Sequence, residues 1–407
     1  MRLLFLALSF PLPANNGHKI RTWALLRALA AEGHEVSLLA FAREDETMEG
    51  QSSLGAVCRD VDIVPLVTRT VLYRRDIAGR LASVPSPRPY GVTRFESAAM
   101  RDKIVARIRR EPFDAIVCDV FTIANVPPIS IPIIVNNENV EHVLLRRYLP
   151  HEPNPVKRAY ASLEALKMER WERRAWARAA VAMACSDVDR RTINRLCPEC
   201  STVIVPNVVD AETYTPNGAG QAGRVLFQGG MDWFPNQDAA AYFISEILPT
   251  VRSLVPHVRF VVAGRNPSPT LLRRFARITD VEFTGTVPDM RDELAKAAVC
   301  AVPLRIGSGT RLKILEAAAM ARAVVSTRIG MEGLGFTDGW DILVADGPHA
   351  FAHALVRVLR STELGGAIGS RARHTIEADY TFANLRAGIR ASLDALVQRS
   401  GRLKPTV

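Results

Sequence analysis

The stretch Pro303–Ala321, PLRIGSGTRLKILEAAAMA, decides the fold. An apolar run, Val299–Leu304, enters the turn Gly307-Ser308-Gly309-Thr310, which opens a helix carrying Arg311, Lys313 and Glu316. A second apolar run, Ala323–Thr327, follows at once, so the stretch reads as a βαβ unit with a glycine-rich turn. Glycines let backbone N–H groups approach a ligand closely, and a helix start offers unpaired donors at the positive end of its dipole. Such a turn is suited to an anion. Lys313 and Glu316 are three residues apart and share a helix face, so a cation and a carboxylate meet whatever docks there. A diphosphate at Lys313 and a sugar hydroxyl at Glu316 is the expected pairing. The plain alternative is a solvated i,i+3 salt bridge.

A chain of 407 residues has room for two domains with cores of their own. With 48% apolar and 23% charged residues the balance is globular, and no apolar run is long enough to span a bilayer. The opening MRLLFLALSF lacks a small-residue cleavage site and leads into a glycine-bearing loop and an amphipathic helix, so a first strand is expected, not a signal peptide. Cys58, Cys118, Cys185 and Cys300 stand in apolar contexts, as reduced thiols of a cytoplasmic protein would. Cys197-Pro-Glu-Cys200 is a lone CxxC without a second ligand pair, and neither a zinc site nor a redox pair is expected of it.

The formal net charge of +10 is unevenly placed. Between Leu66 and Arg110 eleven Lys/Arg stand against three Asp/Glu, a net of +8. That stretch carries no nucleic-acid motif and no interleaved aromatics, so the expected partner is an anionic membrane surface at the inner face of the cell membrane, and no nucleic acid. A basic soluble face is the bland reading.

Leu3–Ser9 is a continuous apolar run suited to a strand buried on both faces. The loop to Gly17-His18 precedes an amphipathic helix, Lys19–Ala31, and Glu35–Phe41 reads as the next strand. GxGxxG is absent, and Gly17 is the one residue of that loop suited to letting a phosphate or acceptor reach the helix start. Further strands are expected at Val61–Leu66, Asp114–Cys118 and Pro132–Val135, with a helix Arg94–Arg110. The strand Pro132–Val135 emits Asn136-Asn-Glu138-Asn-Val-Glu141-His142, a polar cluster at a carboxyl end, where open α/β sheets place ligands. A long charged helix runs to roughly Ala177, and its Glu169, Arg170, Glu172 and Arg173 are read as solvated ion pairs. After a boundary near Pro216–Gly223 a second α/β series begins: Val225–Phe227, the loop Gly229-Gly230-Met-Asp-Trp-Phe-Pro-Asn236, Val258–Ala263, Gly264-Arg265 and Val281–Thr284, then the opening βαβ unit.

Taken in order, PLPANNGHKIRTWALLRALAAEGHEV, ENVEHVLLRR, VPNVVDAETYTP, FQGGMDWFPNQDAAAYF, FVVAGRNP and GSGTRLKILEAAAMARAVVSTRIGMEGL resemble glycosyltransferase family 4 of the GT-B enzymes, and within it the sugar transferases of exopolysaccharide assembly. The resemblance implies an α/β fold of two Rossmann-like, doubly wound domains facing a cleft. Residues 1–206 would be the acceptor-side domain, with a C-terminal helix at 381–398 packing back on it, and residues 207–380 the nucleotide-sugar donor domain. It further implies retention of anomeric configuration and no bound divalent ion. Asp60-Val-Asp62 and Asp187-Val-Asp189 match an Asp-x-Asp metal signature, but both lie outside the donor domain and read as strand-edge and helix-start residues. No cofactor is expected, the nucleotide-sugar being a substrate.

Three departures from the family pattern matter. Its two glutamates are separated by seven residues; Glu316 matches the second, expected on the ribose, while Ser308 stands where the first belongs. The basic pair that many relatives carry after the first donor-domain strand is missing from GGMDWFPN, which leaves Lys313, with Arg311 or Arg265, to neutralise the departing diphosphate. Relatives often read HNVE where this chain has Glu138-Asn139-Val140-Glu141, so Glu138 replaces the histidine near the transferred sugar. The catalytic candidates are therefore Lys313, Glu316 and Glu138. The donor-binding candidates are Gly17, Gly229, Gly230, Arg265, Gly307, Ser308, Gly309, Thr310 and Arg311. His142 is a further candidate, and His18 reads as a loop histidine bonded to backbone. The leading reading is a sugar transferase using a saccharide or lipid-linked acceptor. The alternatives are a non-hydrolysing nucleotide-sugar epimerase and a non-catalytic sugar-nucleotide binding protein on the same scaffold.

Overall fold

The computed structural model describes residues 1–42, 50–65, 76–218 and 220–402. Positions 66–75 of the basic stretch fall outside them. The chain forms two compact units, Met1–Pro206 with Ala383–Val407, and Asn207–Phe382.

Apolar runs that would suit either face of a sheet become strands of two parallel sheets. In the first unit these are β1 (Arg2–Ala7), β2 (Glu35–Ala42), β3 (Asp60–Pro65), β4 (Ala115–Cys118), β5 (Ile133–Asn136), β6 (Val181–Ala184) and β7 (Thr202–Ile204), ordered β3-β2-β1-β4-β5-β6-β7. Every pairing is parallel, with Leu3 opposite both Val36 and Ala115. Leu3 through Ala7 are all buried, as expected of a central strand covered on both faces. The second unit holds β8 (Arg224–Gln228), β9 (Arg259–Ala263), β10 (Val281–Gly285), β11 (Val299–Val302), β12 (Val324–Ser326) and β13 (Leu343–Val344), ordered β10-β9-β8-β11-β12-β13. In both sheets the strand order reverses beside the first strand of the unit, between β1 and β4 and between β8 and β11. Loops leaving the carboxyl ends there part to opposite sides and leave a crevice, where open α/β sheets bind ligands.

The last helix, Phe382–Arg402, returns to the first unit. It buries Leu385, Ile389, Leu393 and Leu396, a stripe at helical spacing, while Arg386 and Arg390 both grip Glu32 at the end of the helix Gly17–Ala31.

Several expectations are corrected. The helix after the glycine-rich turn starts at Leu312, so Arg311, expected on the helix, is its N-cap residue. The helix expected from Arg94 begins at Ala98, because Ser97 Oγ caps the Met100 amide, and a separate short helix occupies Tyr90–Thr93. Glu172 of the helix Pro155–Arg178 is no solvated ion-pair residue. It is fully buried and accepts from the Glu141 and His142 amides and from His142 Nδ1 at 2.7 Å. Cys197 and Cys200 are joined as a disulfide: the helix Asp187–Leu196 ends at Cys197, and a tight turn closes with the Cys200 amide on the Cys197 carbonyl. With Glu199 they form the one group among the described residues whose ligand atoms converge as a metal site requires, and the disulfide ties up two of the three.

Asp60 and Asp62 both accept from Arg107, and Asp187 pairs with Arg190 and Arg191, so the two Asp-x-Asp matches serve ion pairs at a strand and a helix start. Arg107 and Arg88, the latter paired with Glu96, spend part of the basic stretch's charge inside the unit.

Candidate functional site

The second unit gathers its candidates on the loops after β8, β9 and β11. Gly264 and Gly229 bring the first two loops together: a Cβ on Gly264 would stand 2.0 Å from the Gly229 carbonyl oxygen, and both residues have positive φ. No side chain fits there. Two cations then approach the Gly229-Gly230 turn. A Cβ on Gly229 would lie 2.9 Å from Lys313 Nζ, and one on Gly230 would lie 3.6 Å from the Arg265 guanidinium. Arg265 pairs with Asp232 at 3.1 Å.

Lys313 is half-buried and has no carboxylate at salt-bridge distance among the described residues. Its ammonium donates to Asn236 Oδ1 at 2.7 Å and sits 4.3 Å from the centre of the buried Phe227 ring. Asn236 is turned for this task, since its Nδ2 donates to the Gly230 carbonyl. Loss of water around the ammonium, with Arg311 nearby, pulls its pKa down to about 7, against a smaller opposing pull from Glu316. The i,i+3 salt bridge of the plain alternative is thus not formed. Glu316 instead accepts from Gln228 Nε2 and from the Tyr214 hydroxyl at 3.4 Å. Burial raises its pKa above the usual carboxylate value in spite of those donors and Lys313.

In the turn itself Gly307, Ser308 and Gly309 are buried and Gly309 has φ 71°. Arg311 is buried as well. Its guanidinium donates to the carbonyls of Ser308, Gly309 and Ile329, so it frames the turn from inside, and a Cβ on Gly307 would collide with it. Thr310 Oγ1 accepts from Asn207 Nδ2 at 2.9 Å. Asn207, Gln228, Asn236 and Tyr214 hold the candidates in place, and being uncharged they do not stand out in the sequence. Asn207 and Tyr214 lie in VPNVVDAETYTP and Gln228 and Asn236 in FQGGMDWFPNQD, which was the available signal.

The first unit collects a different set at the carboxyl ends of β1, β4 and β5. Gly17 is the first residue of its helix, capped by Asn16 Oδ1 on the Lys19 amide, and stands in this unit while every other donor candidate is in the second. His18 is not bonded to backbone as expected: its Nδ1 lies 2.7 Å from Glu138 Oε1, across 120 residues of sequence. Burial raises the Glu138 pKa, but His18 and then Arg21 outweigh it and the net shift is downward. Buried Asp119, which follows β4 and accepts from the Phe121 and Thr122 amides, is raised to about 6, mainly by loss of water. Glu141 is raised to about 8 by burial and by Glu172, and so stays protonated at neutral pH. His142 belongs to the core, locked against Glu172.

Two parallel sheets, each with polar loops at its order switch and one with an anion-suited turn, define the GT-B class. Residues 15–213 match the sequence pattern of Glycosyltransferase Family 4, and residues 222–361 that of Glycosyl transferases group 1. The chain belongs to this family of glycosyltransferases. An uncharacterized 44.6 kDa protein of the cps region of Klebsiella pneumoniae is 20% identical over 397 residues, 93% of this chain and 96% of that one. Among solved structures, sucrose-phosphate synthase from Thermosynechococcus elongatus superposes with a TM-score of 0.70 at 15% identity, over 98% of this chain and all of the other. HepE of Anabaena in complex with UDP and glucose gives 0.64 at 14% identity, over 97% and 99% of the two chains. TarM of S. aureus gives 0.69 at 11%, over 97% and 100%. At these identities the likeness concerns the fold.

The Glu172 arrangement makes the first prediction. Glu172→Ala removes the acceptor for two amides and one imidazole in a fully buried place, and is expected to cost about 3 kcal/mol. Urea unfolding of the full chain reads the loss; a midpoint equal to that of the wild type would refute the arrangement.

Proposed function

We propose that this chain is a retaining glycosyltransferase that moves a sugar from a nucleotide diphosphate donor to a hydroxyl of a saccharide or lipid-linked acceptor in cell-envelope or exopolysaccharide synthesis. The observation that carries the reading is Lys313, a desolvated ammonium with no carboxylate at salt-bridge distance among the described residues, beside a glycine-rich turn and 2.9 Å from where a Gly229 side chain would begin. The donor diphosphate would bind at the Gly229-Gly230 and Gly307–Thr310 turns, with Lys313 and Arg265 answering its charge and Glu316 accepting from the ribose. Arg311 shapes the turn. In the reaction the acceptor oxygen bonds to the anomeric carbon on the face from which the diphosphate oxygen departs, the hydroxyl proton passes to that departing oxygen, and the cations stabilise the charge that collects on the leaving group. UDP is the first nucleotide to try, since HepE was crystallised with UDP and glucose. On the first unit, Glu138 would serve the sugar-hydroxyl side of the reaction.

The same reading has the first unit work peripherally at an anionic membrane face. No helix among the described residues is long and apolar enough to cross a membrane. Ile77 and Leu81, one helical turn apart, stand 68% and 66% exposed in the basic stretch, beside Arg80.

Two tests follow. A diphosphate beside Lys313 favours its charged form, so UDP binding above pH 7 takes up a proton and weakens as pH rises through the ammonium's pKa of about 7. Calorimetry in buffers of differing ionisation enthalpy should show that uptake, and Lys313→Met should abolish it and weaken UDP about 10- to 100-fold, the worth of a charge-assisted bond. Unchanged affinity would sink the role. For the membrane, flotation should find the protein on vesicles containing phosphatidylglycerol, released by salt and absent from neutral vesicles; binding that salt leaves intact, or none, speaks against it.

A further inference from the structure

The His18–Glu138 pair has no place in the reading of the sequence, and its geometry differs from that of the chain's structural pair. His142 and Glu172 are both fully buried, and Glu172 is also satisfied by two backbone amides. His18 and Glu138 stand at the carboxyl end of the sheet with side chains 23% and 21% exposed. Their loops leave β1 and β5, on either side of β4, the strand that lies across the order switch from β1. Nδ1 of His18 is taken by Glu138, while Nε2 is shielded from solvent and has no hydrogen-bond partner among the described residues. A buried polar atom left without a partner calls for one supplied from outside, and bonds of this kind are often completed only when substrate is bound.

We propose that His18 is the first unit's saccharide-binding imidazole, its Nε2 accepting the hydrogen bond of a sugar hydroxyl while Glu138 is the positioning residue that holds Nδ1. This rests on the reading of the chain as a sugar transferase. A carboxylate on Nδ1–H fixes the tautomer, so the neutral ring presents a lone pair at Nε2, and an O–H group is its natural complement. A metal ion is the weaker partner. Glu138 and Asp119 are the carboxylates that act on the ring, yet among the described residues their oxygens and the imidazole do not converge as ligands. The imidazole thus comes from the loop after β1 and its carboxylate from the loop after β5.

The charges facing the ring set its pH behaviour. Burial opposes the imidazolium, but Glu138 and then Asp119 favour it more, with Lys19 opposing, and the pKa stands above 6.5. Arg21 acts on Glu138, and Glu141 carries no charge at neutral pH. The neutral, hydroxyl-accepting ring therefore gains as pH rises through that raised value.

The test follows the imidazole signals of the histidine-labelled full chain by NMR over pH, with His18→Gln identifying the resonance, before and after UDP and methyl α-glucoside are added. A hydroxyl on Nε2 favours the neutral ring, so the sugar is expected to move the His18 midpoint down by about half a unit or more. With UDP-glucose as donor and methyl α-glucoside as acceptor, His18→Ala should lose roughly tenfold or more in acceptor-dependent UDP release while its UDP affinity stays. His18→Gln keeps an accepting oxygen and should recover part of the rate without the pH-dependent rise. A His18 midpoint unmoved by the sugar, or variants with the wild-type rate and pH profile, overturns the proposal. If UDP fails to bind the wild type, it is the choice of donor nucleotide that falls, and the ring titration with sugar alone still decides on His18.

Discussion

A lysine ammonium kept partly out of water, with no carboxylate at salt-bridge distance among the described residues, is the constraint around which the second unit is arranged. Such a charge is costly, and here it is offset by an amide oxygen and an aromatic face: Asn236 at 2.7 Å and Phe227 at 4.3 Å. Each support has its own requirement. Asn236 is aimed by the Gly230 carbonyl, and the Gly229 loop is seated by a contact with Gly264 that tolerates no side chain. Phe227 is fixed in the central strand β8. The nearby carboxylate, Glu316, is drawn away by Gln228 and Tyr214. A partial desolvation held open in this way suits a ligand that brings negative charge, because binding then completes an interaction the protein leaves undone.

The first unit repeats the architecture with different chemistry. Its order switch carries carboxylates and an imidazole in place of a glycine-rich turn, as suits the recognition of neutral hydroxyls better than of phosphates. Burial and charged partners together separate the acids: Glu138 lowered and paired with His18, Asp119 near 6, Glu141 near 8. One fold thus supports two kinds of site, and the difference lies in the loops.

The strands were legible because parallel sheets covered on both faces need continuous apolar runs, and Leu3–Ser9 or Val299–Leu304 allow little else. The glycine-rich turn was legible for the same local reason. What escaped was the partnering of charged side chains. Glu172 sits among arginines on a long helix and reads as solvated, yet it is fully buried, because its partners arrive from the loop after β5, some 30 residues away. Arg311 reads as a ligand cation but folds back onto carbonyls of its own turn and of Ile329, which only the closed loop makes available. His18 and Glu138 meet across 120 residues, a distance no local pattern encodes. Periodicity reports which face is buried; it does not report which charges meet there.

Hydrogen–deuterium exchange with and without UDP tests the location of the donor site most directly. Protection is expected at 228–236, 264–266 and 305–317, the loops that carry Asn236, Arg265 and Lys313, with the rest of the second unit little changed. Binding that protects other segments and leaves the Gly307–Thr310 turn exchanging as before would contradict the assignment.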